Sequence, residues 1–279
     1  MNVRRPKSLT EAVRLQTETK GCYIAGGTFS MVEIAADRFH PDTLIDLSLC
    51  EELYGIREEE AWVSVGALTT FTEIEKSAVL KKYFPALVKS ASEVGGPQVR
   101  NRGTVGGNIC AASPAADSAP ALLALNAEAV VTGTQGTRVI PMDELFLAPK
   151  KTCLSADEVL VSVRLPKMGH TSSFMKVGKR NALAVSSVCM AVSALVTDGS
   201  IDELRIAAGA CAPTPRSCPK TAEALLGAVT PEKIAAAQEI LMGEISPIDD
   251  RWATAEYRRL VAKNMLESLV ESVIKEESK

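Results

Sequence analysis

Two glycine-containing segments are the parts of this 279-residue sequence whose residue types could perform chemistry. Glycine reaches positive φ easily and lets backbone N–H groups approach a ligand without an intervening Cβ atom. Amides at the start of a helix, together with Thr or Ser hydroxyls, suit phosphate oxygens. The first segment has the composition of a diphosphate cradle, but Gly-Gly-Thr is also found in many ordinary turns, and by itself this segment favours such a turn. Its candidate binding residues are Ile24, Ala25, Gly26, Gly27, Thr28, Phe29, Ser30 and Met31.

The second segment, residues 100–118, consists almost entirely of small, glycine and polar residues. We expect residues 95–113 to be nearly without regular secondary structure, so their ordering needs a compensating ligand. A free surface loop is the alternative, but Val105 and Ile109 are too apolar to be exposed. The backbone could lie against a large, flat, phosphate-bearing molecule while polar side chains bond its hydroxyls. The candidate residues for these hydroxyls are Asn108, Ser113 and Asp117.

Other classes of function are disfavoured by composition. The sequence has neither Gly-x-Gly-x-x-Gly nor a P-loop, which argues against those nucleotide sites. Seven scattered cysteines without Cys-x-x-Cys spacing and two distant histidines predict reduced thiols and no metal site. A formal net charge of -3 argues against nucleic-acid binding. The apolar stretches are shorter than the roughly 20 residues of a membrane span, and residues 1–6 do not begin a secretory signal, so we expect a cytoplasmic protein without membrane insertion.

The elements that must position the two segments mix strands and helices without a regular βαβ order, which predicts an α+β fold. Capping boxes begin helices at Ser8 and Thr70, and Pro85 begins another. Residues 166–171 are polar and rich in turn formers, so we place a domain boundary there, with domains 1–170 and 171–279. The strands predicted before it are 22–25, 43–47, 61–67, 128–131, 137–140 and 158–165, with a helix at 115–125. After it, strands 173–177, 183–197 and 201–209 precede helices 218–226, 231–241 and 249–274.

Both glycine segments resemble those of a known family. Ala25-Gly26-Gly27-Thr28, the run Arg102-Gly103-Thr104-Val105-Gly106-Gly107-Asn108, and the following residues 112–117 resemble the FAD-binding segments of molybdenum hydroxylase flavoprotein subunits of the xanthine dehydrogenase type. The resemblance covers essentially the whole chain. It implies an FAD-binding fold of the vanillyl-alcohol-oxidase/PCMH type, with α+β subdomains at about 1–54 and 55–170. A C-terminal domain like that of CO dehydrogenase flavoproteins follows, with a three-stranded antiparallel sheet and a helical bundle.

The resemblance also implies individual roles. Residues 24–31 would hold the FAD diphosphate, Thr104 to Asn108 would pack along the cofactor, and Asp117 would bond its sugar or ribityl hydroxyls. Leu160 would contact the isoalloxazine ring, and Val94 is included by its distance from the glycine segment. Lys176 would bring a cation near the flavin, unless it is an ordinary solvated lysine. Neither glycine segment holds a histidine, so we expect noncovalent FAD.

The implied function is electron transfer, with no catalytic acid, base or nucleophile on this chain. Electrons would come from iron–sulfur clusters on one partner subunit, after hydroxylation on a molybdopterin-binding subunit, and would leave through FAD to NAD+ or another acceptor. Xanthine or a related purine is the first expectation for the substrate, with nicotinate and carbon monoxide as alternatives. A stand-alone flavoenzyme of the same fold and a non-catalytic nucleotide-binding or scaffold protein are the other hypotheses.

Overall fold

The computed structural model describes residues 1–180 and 183–277. The chain begins with a small parallel sheet in the strand order β1-β3-β2. Ser8 begins the first helix because its side chain accepts a hydrogen bond from the Glu11 N–H at 3.2 Å. The elements are β1 (Asn2–Arg4), α1 (Leu9–Thr19), β2 (Cys22–Ile24), α2 (Ser30–Ala35) and β3 (Thr43–Asp46). The α2 helix contributes no buried residue, so the first glycine segment and α2 lie at the surface.

A five-stranded sheet follows, in the order β4-β5-β10-β6-β7, with every neighbouring pair antiparallel. Alternate residues of its central strand, such as Val163 and Leu165, are fully buried against helices. The strands and the helices between them are β4 (Ile56–Glu58), β5 (Trp62–Gly66), α3 (Phe71–Lys76), α4 (Ala78–Tyr83), α5 (Pro85–Ser92), α6 (Pro97–Arg100), α7 (Val105–Cys110), α8 (Ser118–Ala124), β6 (Glu128–Gly133), β7 (Gly136–Pro141), α9 (Met142–Leu145), β8 (Phe146–Ala148), β9 (Lys151–Thr152) and β10 (Val159–Pro166).

The expectation that residues 95–113 are nearly structureless is wrong, because this stretch contains α6 and α7. Thr104 caps α7 by accepting a hydrogen bond from the Gly107 N–H at 3.1 Å. The side chains of Val105 and Ile109, four residues apart, are both fully buried on one face of the helix. Capping and packing therefore outweigh the poor helix propensity of two adjacent glycines.

The C-terminal part contains an antiparallel sheet in which β11 (Thr171–Gly178), β12 (Ser186–Thr197) and β13 (Ser200–Gly209) are the long strands. Asp198 and Gly199 both have positive φ, 51° and 75°, as a two-residue hairpin turn requires. Two short strands also pair with β13, so this sheet is wider than the predicted three strands. The remaining elements are β14 (Arg216–Ser217), α10 (Pro219–Ala224), β15 (Gly227–Ala228), α11 (Pro231–Glu244) and α12 (Ala255–Glu277).

The two faces of β12 are buried against different parts of the chain. Cys189 and Ala191 join the core that contains α5 and α8, whereas Met190 and Val192 join a core with α11 and α12. The segment that leads into α8 is bonded to the C-terminal part of the chain, since the Ala210 N–H donates to the Pro114 carbonyl oxygen at 2.7 Å. Among the described residues, no helix is both long enough and apolar enough to cross a membrane.

Candidate cofactor site

The two glycine segments meet at a cavity of about 860 Å³, a volume typical of cofactor sites. Its walls come from the turn between β2 and α2, from α7, from the residues before α8 and from the start of β10. The candidate residues that line it are Ile24, Ala25, Gly26, Gly27, Thr28, Phe29, Ser30, Val94, Thr104, Gly106, Gly107, Asn108, Ser113, Asp117 and Leu160.

Three candidate residues are not part of this cavity wall. Met31 lies on α2 and is 46% exposed to solvent. Val105 is fully buried in the main core, because it lies on the face of α7 opposite to the cavity. Lys176 lines a neighbouring cavity of about 710 Å³. The structure therefore brings together most of the predicted set but gives these three side chains other surroundings.

The first glycine segment rests directly on the loop before Thr104. A Cβ atom at Gly26 would lie only 1.7 Å from the carbonyl oxygen of Arg102, and one at Gly106 would lie 2.7 Å from Ala67. Gly27 has a φ of +74°, a conformation that side chains other than glycine rarely adopt. Glycine is thus required at Gly26 for the approach of two backbones and at Gly27 for the direction of the turn.

The turn offers unused hydrogen-bond donors to the cavity. Within the described part of the chain, the backbone N–H groups of Gly26, Gly27, Thr28 and Phe29 donate no hydrogen bond to the protein. The amide of Met31, two residues after Phe29, donates to the carbonyl oxygen of Gly27 at 3.0 Å. Consecutive free amides form a concave site for anionic oxygens. The turn is therefore suited to a diphosphate group.

A buried acidic group lies at another part of the cavity wall. Asp117 is 7% exposed, and its Oδ2 accepts a hydrogen bond from Lys176 Nζ at 2.6 Å while its Oδ1 accepts one from Ser186 Oγ at 2.5 Å. Burial raises the pKa of the Asp117 carboxyl, and Lys176 opposes this shift. Lys176 Nζ also donates to the Glu93 carbonyl oxygen at 2.8 Å. The charge of Lys176 is therefore paired with Asp117, and only the Asp117 half of this ion pair lines the cavity.

A charged cluster at the cavity, which we call the Glu33 cluster, consists of Glu33, Arg38 and Lys150. Glu33 accepts hydrogen bonds from Arg38 Nη2 at 2.6 Å and from Lys150 Nζ at 3.1 Å. These bonds, led by that from Arg38, lower the pKa of Glu33 to about 2. Lys150 Nζ also lies 5.6 Å from the centre of the Phe29 ring. Sequence reasoning missed this cluster, because no motif connects α2 with the turn between β8 and β9.

Cys110 also lines the cavity, at the end of α7. Its side chain reaches the cavity surface, but the surrounding protein raises the pKa of the thiol to about 12. A protonated thiol is a poor nucleophile. Ser186, which bonds Asp117, was not among the sequence candidates either, because it lies 69 residues further along the chain.

Comparison with known proteins gives the same family for both parts of the chain. Residues 1–168 match the model of the FAD binding domain in molybdopterin dehydrogenase, and residues 173–273 match that of the CO dehydrogenase flavoprotein C-terminal domain. The chain is 28% identical over 276 residues to the xanthine dehydrogenase FAD-binding subunit of Escherichia coli O157:H7, covering 97% of this chain and 94% of the relative. It is 36% identical over 214 residues to the nicotinate dehydrogenase FAD-subunit of Eubacterium barkeri, covering 74% and 72%.

A solved structure agrees with this grouping. Carbon monoxide dehydrogenase from Hydrogenophaga pseudoflava, in a form that lacks the Mo-pyranopterin moiety of the molybdenum cofactor, superimposes with a TM-score of 0.95 at 31% identity, covering 98% of this chain and 96% of that chain. The fold and the matched models define a flavin-binding class of oxidoreductase subunit. The chain belongs to the family of FAD-binding subunits of molybdenum hydroxylases.

Proposed function

We propose that this chain binds FAD noncovalently in the cavity described above and transfers electrons for a molybdenum hydroxylase complex. The observation that carries the proposal is the meeting of the two glycine segments around free backbone amides, at Gly26 and Arg102. FAD joins a diphosphate to a flat ring system and several hydroxyls. The cavity offers amide donors to the diphosphate, an apolar wall to the ring system and a buried carboxylate to the hydroxyls. Its residues therefore fit the cofactor.

Different residues of the cavity bind different parts of FAD. The amides of Gly26, Gly27 and Thr28 donate to the diphosphate, and the peptide groups of Gly106 and Gly107 lie along the cofactor. Asp117 retains lone pairs on both carboxylate oxygens for sugar or ribityl hydroxyls, because each oxygen has one protein partner. Leu160, 4% exposed, and Val94 provide apolar contact for the isoalloxazine ring. Cys110, protonated at neutral pH, favours noncovalent binding.

Lys176 acts on the flavin through Asp117. The pairing of its ammonium with the carboxylate lowers the net charge that the two groups present to the ring. In this arrangement Lys176 orients the Asp117 carboxylate directly and affects the reduction potential of the flavin only indirectly, through that carboxylate. The ion pair supports this role, because Asp117 lines the same cavity as Leu160 and Lys176 Nζ lies 2.6 Å from its carboxylate.

FAD, when bound, supplies a redox centre that exchanges one or two electrons. We propose that the electrons come from an iron–sulfur subunit, after substrate hydroxylation on a molybdopterin-binding subunit, and pass to NAD+ or another acceptor. The description of the relatives as subunits supports such partners. A cytoplasmic location belongs to the same proposal, and the scattered cysteine pattern supports it.

For the substrate of the complex, we propose xanthine or a related purine. The similarity to the xanthine dehydrogenase subunit extends over nearly the whole of both chains, which supports this choice. Nicotinate and carbon monoxide are the alternatives, since the relatives named for them are 36% and 31% identical to this chain. Turnover assays of the purified complex with all three substrates and an artificial electron acceptor test the choice. A complex that oxidises nicotinate or carbon monoxide but no purine would overturn it.

The test of the cofactor proposal is the visible spectrum of the full chain, followed by titration of the flavin-free protein with FAD and reduction by NADH. We expect a yellow protein that binds one FAD. Gly107→Val adds a branched side chain at the cavity wall, where a Cβ atom would already lie 3.0 Å from Thr104 Oγ1, and should abolish FAD retention. The matched control is Gly243→Val, also in a helix, where a Cβ atom would meet nothing within 4 Å.

A colourless wild-type chain that takes up no FAD would refute the proposal. Full FAD retention in Gly107→Val would mean that the site lies elsewhere. Efficient oxidation of a small substrate by the chain without partner subunits would favour the stand-alone flavoenzyme instead.

A further inference from the structure

A buried arginine lies behind the cavity wall, on the last helix of the chain. The side chain of Arg258 on α12 is 4% exposed, and its Nη2 lies 2.7 Å from Asp250 Oδ1. Its Nη1 donates to two backbone carbonyls, that of Ser187 at 2.6 Å and that of Ala210 at 2.8 Å. A buried guanidinium is costly unless such partners are provided. Among the described residues, Arg258 Nε has no hydrogen-bond partner. The side chain therefore bonds the two carbonyl oxygens while one of its own donors stays unsatisfied.

Both carbonyls belong to segments that reach the residues before α8. Ser187 follows Ser186, whose hydroxyl donates to Asp117 Oδ1 at 2.5 Å. Ala210 donates its own N–H to the carbonyl oxygen of Pro114 at 2.7 Å, from a backbone with φ of 59°. Alanine rarely adopts this left-handed conformation, so external bonds must hold it. Arg258 thus joins two of the three points at which the C-terminal part holds residues 114–117; the third is the bond from Lys176 to Asp117.

We propose that Arg258 is a positioning residue for the FAD site, acting through Ser186 on Asp117. The inference rests on the proposed FAD binding in this cavity. Asp117 has only side-chain partners from β11 and β12, namely Lys176 and Ser186, among those the structure describes. The direction of its carboxylate is therefore determined by where these strands are fixed. Arg258 fixes the start of β12 to the end of β13, and so determines where the Ser186 hydroxyl lies.

A role confined to stability makes a different prediction. If Arg258 only supported the packing of α12, its loss would lower the melting temperature and leave the FAD affinity of the folded protein unchanged. As a positioning residue, its loss also weakens FAD binding and alters the flavin, because the carboxylate beside the cofactor is displaced. Such a misplacement of a supporting group is enough to change a site that is otherwise intact.

The experiment compares Arg258→Met, Arg258→Lys and Ser186→Ala in the full-length chain. The control is Arg259→Met, the exposed neighbour on the same helix. FAD dissociation constants by absorbance titration, the visible band shape, the flavin reduction potential and the melting temperature without FAD are measured for each. We expect Ser186→Ala and Arg258→Met each to weaken FAD binding about tenfold, the effect of one lost hydrogen bond to a charged group. Arg258→Lys should restore part of the affinity, and Arg259→Met should change nothing.

The double variant, Arg258→Met with Ser186→Ala, tests whether the effect of Arg258 on FAD binding passes through Ser186. Because Arg258 acts through Ser186, the double variant should weaken FAD binding by much less than the product of the two single effects. Wild-type affinity and band shape in folded Arg258→Met, or a double variant equal to that product, would overturn the proposal. If Arg258→Met does not fold, the same comparison is made with Arg258→Lys. Failure of the wild-type chain itself to bind FAD would instead refute the proposed function.

Discussion

Replacing Gly26 by alanine tests the contact between the two glycine segments. The new Cβ atom would lie 1.7 Å from the Arg102 carbonyl oxygen, and contacts under 3.0 Å are essentially never found, so the two backbones must separate by more than 1.3 Å. Overpacking of this kind costs about 1–3 kcal/mol of stability. A shift of that size also breaks hydrogen bonds, which require about 2.7–3.2 Å between donor and acceptor. Losing two of the amides that we propose bind the diphosphate, at about 1.5 kcal/mol each, should weaken FAD binding roughly 100-fold.

The assay is titration of flavin-free Gly26→Ala protein with FAD, followed by absorbance, together with thermal unfolding. The control is Gly243→Ala in α11, where a Cβ atom would meet nothing within 4 Å, and which should stabilise the helix by up to about 1 kcal/mol. An affinity of Gly26→Ala for FAD within about threefold of wild type, at unchanged melting temperature, would show that the backbone approach is irrelevant to the site.

Three further outcomes are expected. Gly27→Ala and Gly199→Ala, at φ of +74° and +75°, should each lose about 1–2 kcal/mol of stability in urea unfolding, but only the first should weaken FAD binding; equal affinities would contradict this. Thr104→Val removes the cap on the Gly107 N–H and should lower the free energy of unfolding by about 1 kcal/mol, and an unchanged value would contradict the capping role. The hydrogen bonds of Glu33 lower its pKa from 4.5 to about 2, so their stabilisation is complete above about pH 4.5 and is lost as the pH falls towards about 2. Melting temperatures of Glu33→Gln should therefore fall less steeply over this range than those of wild type, and parallel curves would contradict it.

Patterns of local spacing predicted most of the regular structure. The strand predicted at 201–209 is β13 (Ser200–Gly209), and the capping box at Thr70 begins α3 as expected. The hairpin at Asp198 and Gly199 follows from turn chemistry alone. These features depend on residues close together in sequence. The mixed α+β class follows from the sequence for the same reason.

Features that depend on contacts between residues far apart in the sequence could not be predicted from local patterns. The α7 helix contains two adjacent glycines, and the cap at Thr104 stabilises it together with the burial of Val105 and Ile109, which depends on distant residues. The pairing of Lys176 with Asp117 joins residues 59 positions apart. No local sequence pattern distinguishes a lysine that contacts a cofactor from one that forms an ion pair with a residue of the cavity wall. The Glu33 cluster, which joins residues 117 positions apart, is of the same kind.

The attachment of Asp117 to the C-terminal sheet has a consequence for biosynthesis. The nascent chain emerges from the ribosome N-terminus first. Lys176 and Ser186, the partners of the Asp117 carboxylate, therefore emerge 59 and 69 residues after it. Both glycine segments, with Asp117 in the second, therefore leave the ribosome before the residues that bond the Asp117 carboxylate. Cofactor loading is expected to follow the emergence of β12, and a nascent chain stalled near residue 170 should hold FAD less tightly than the released protein.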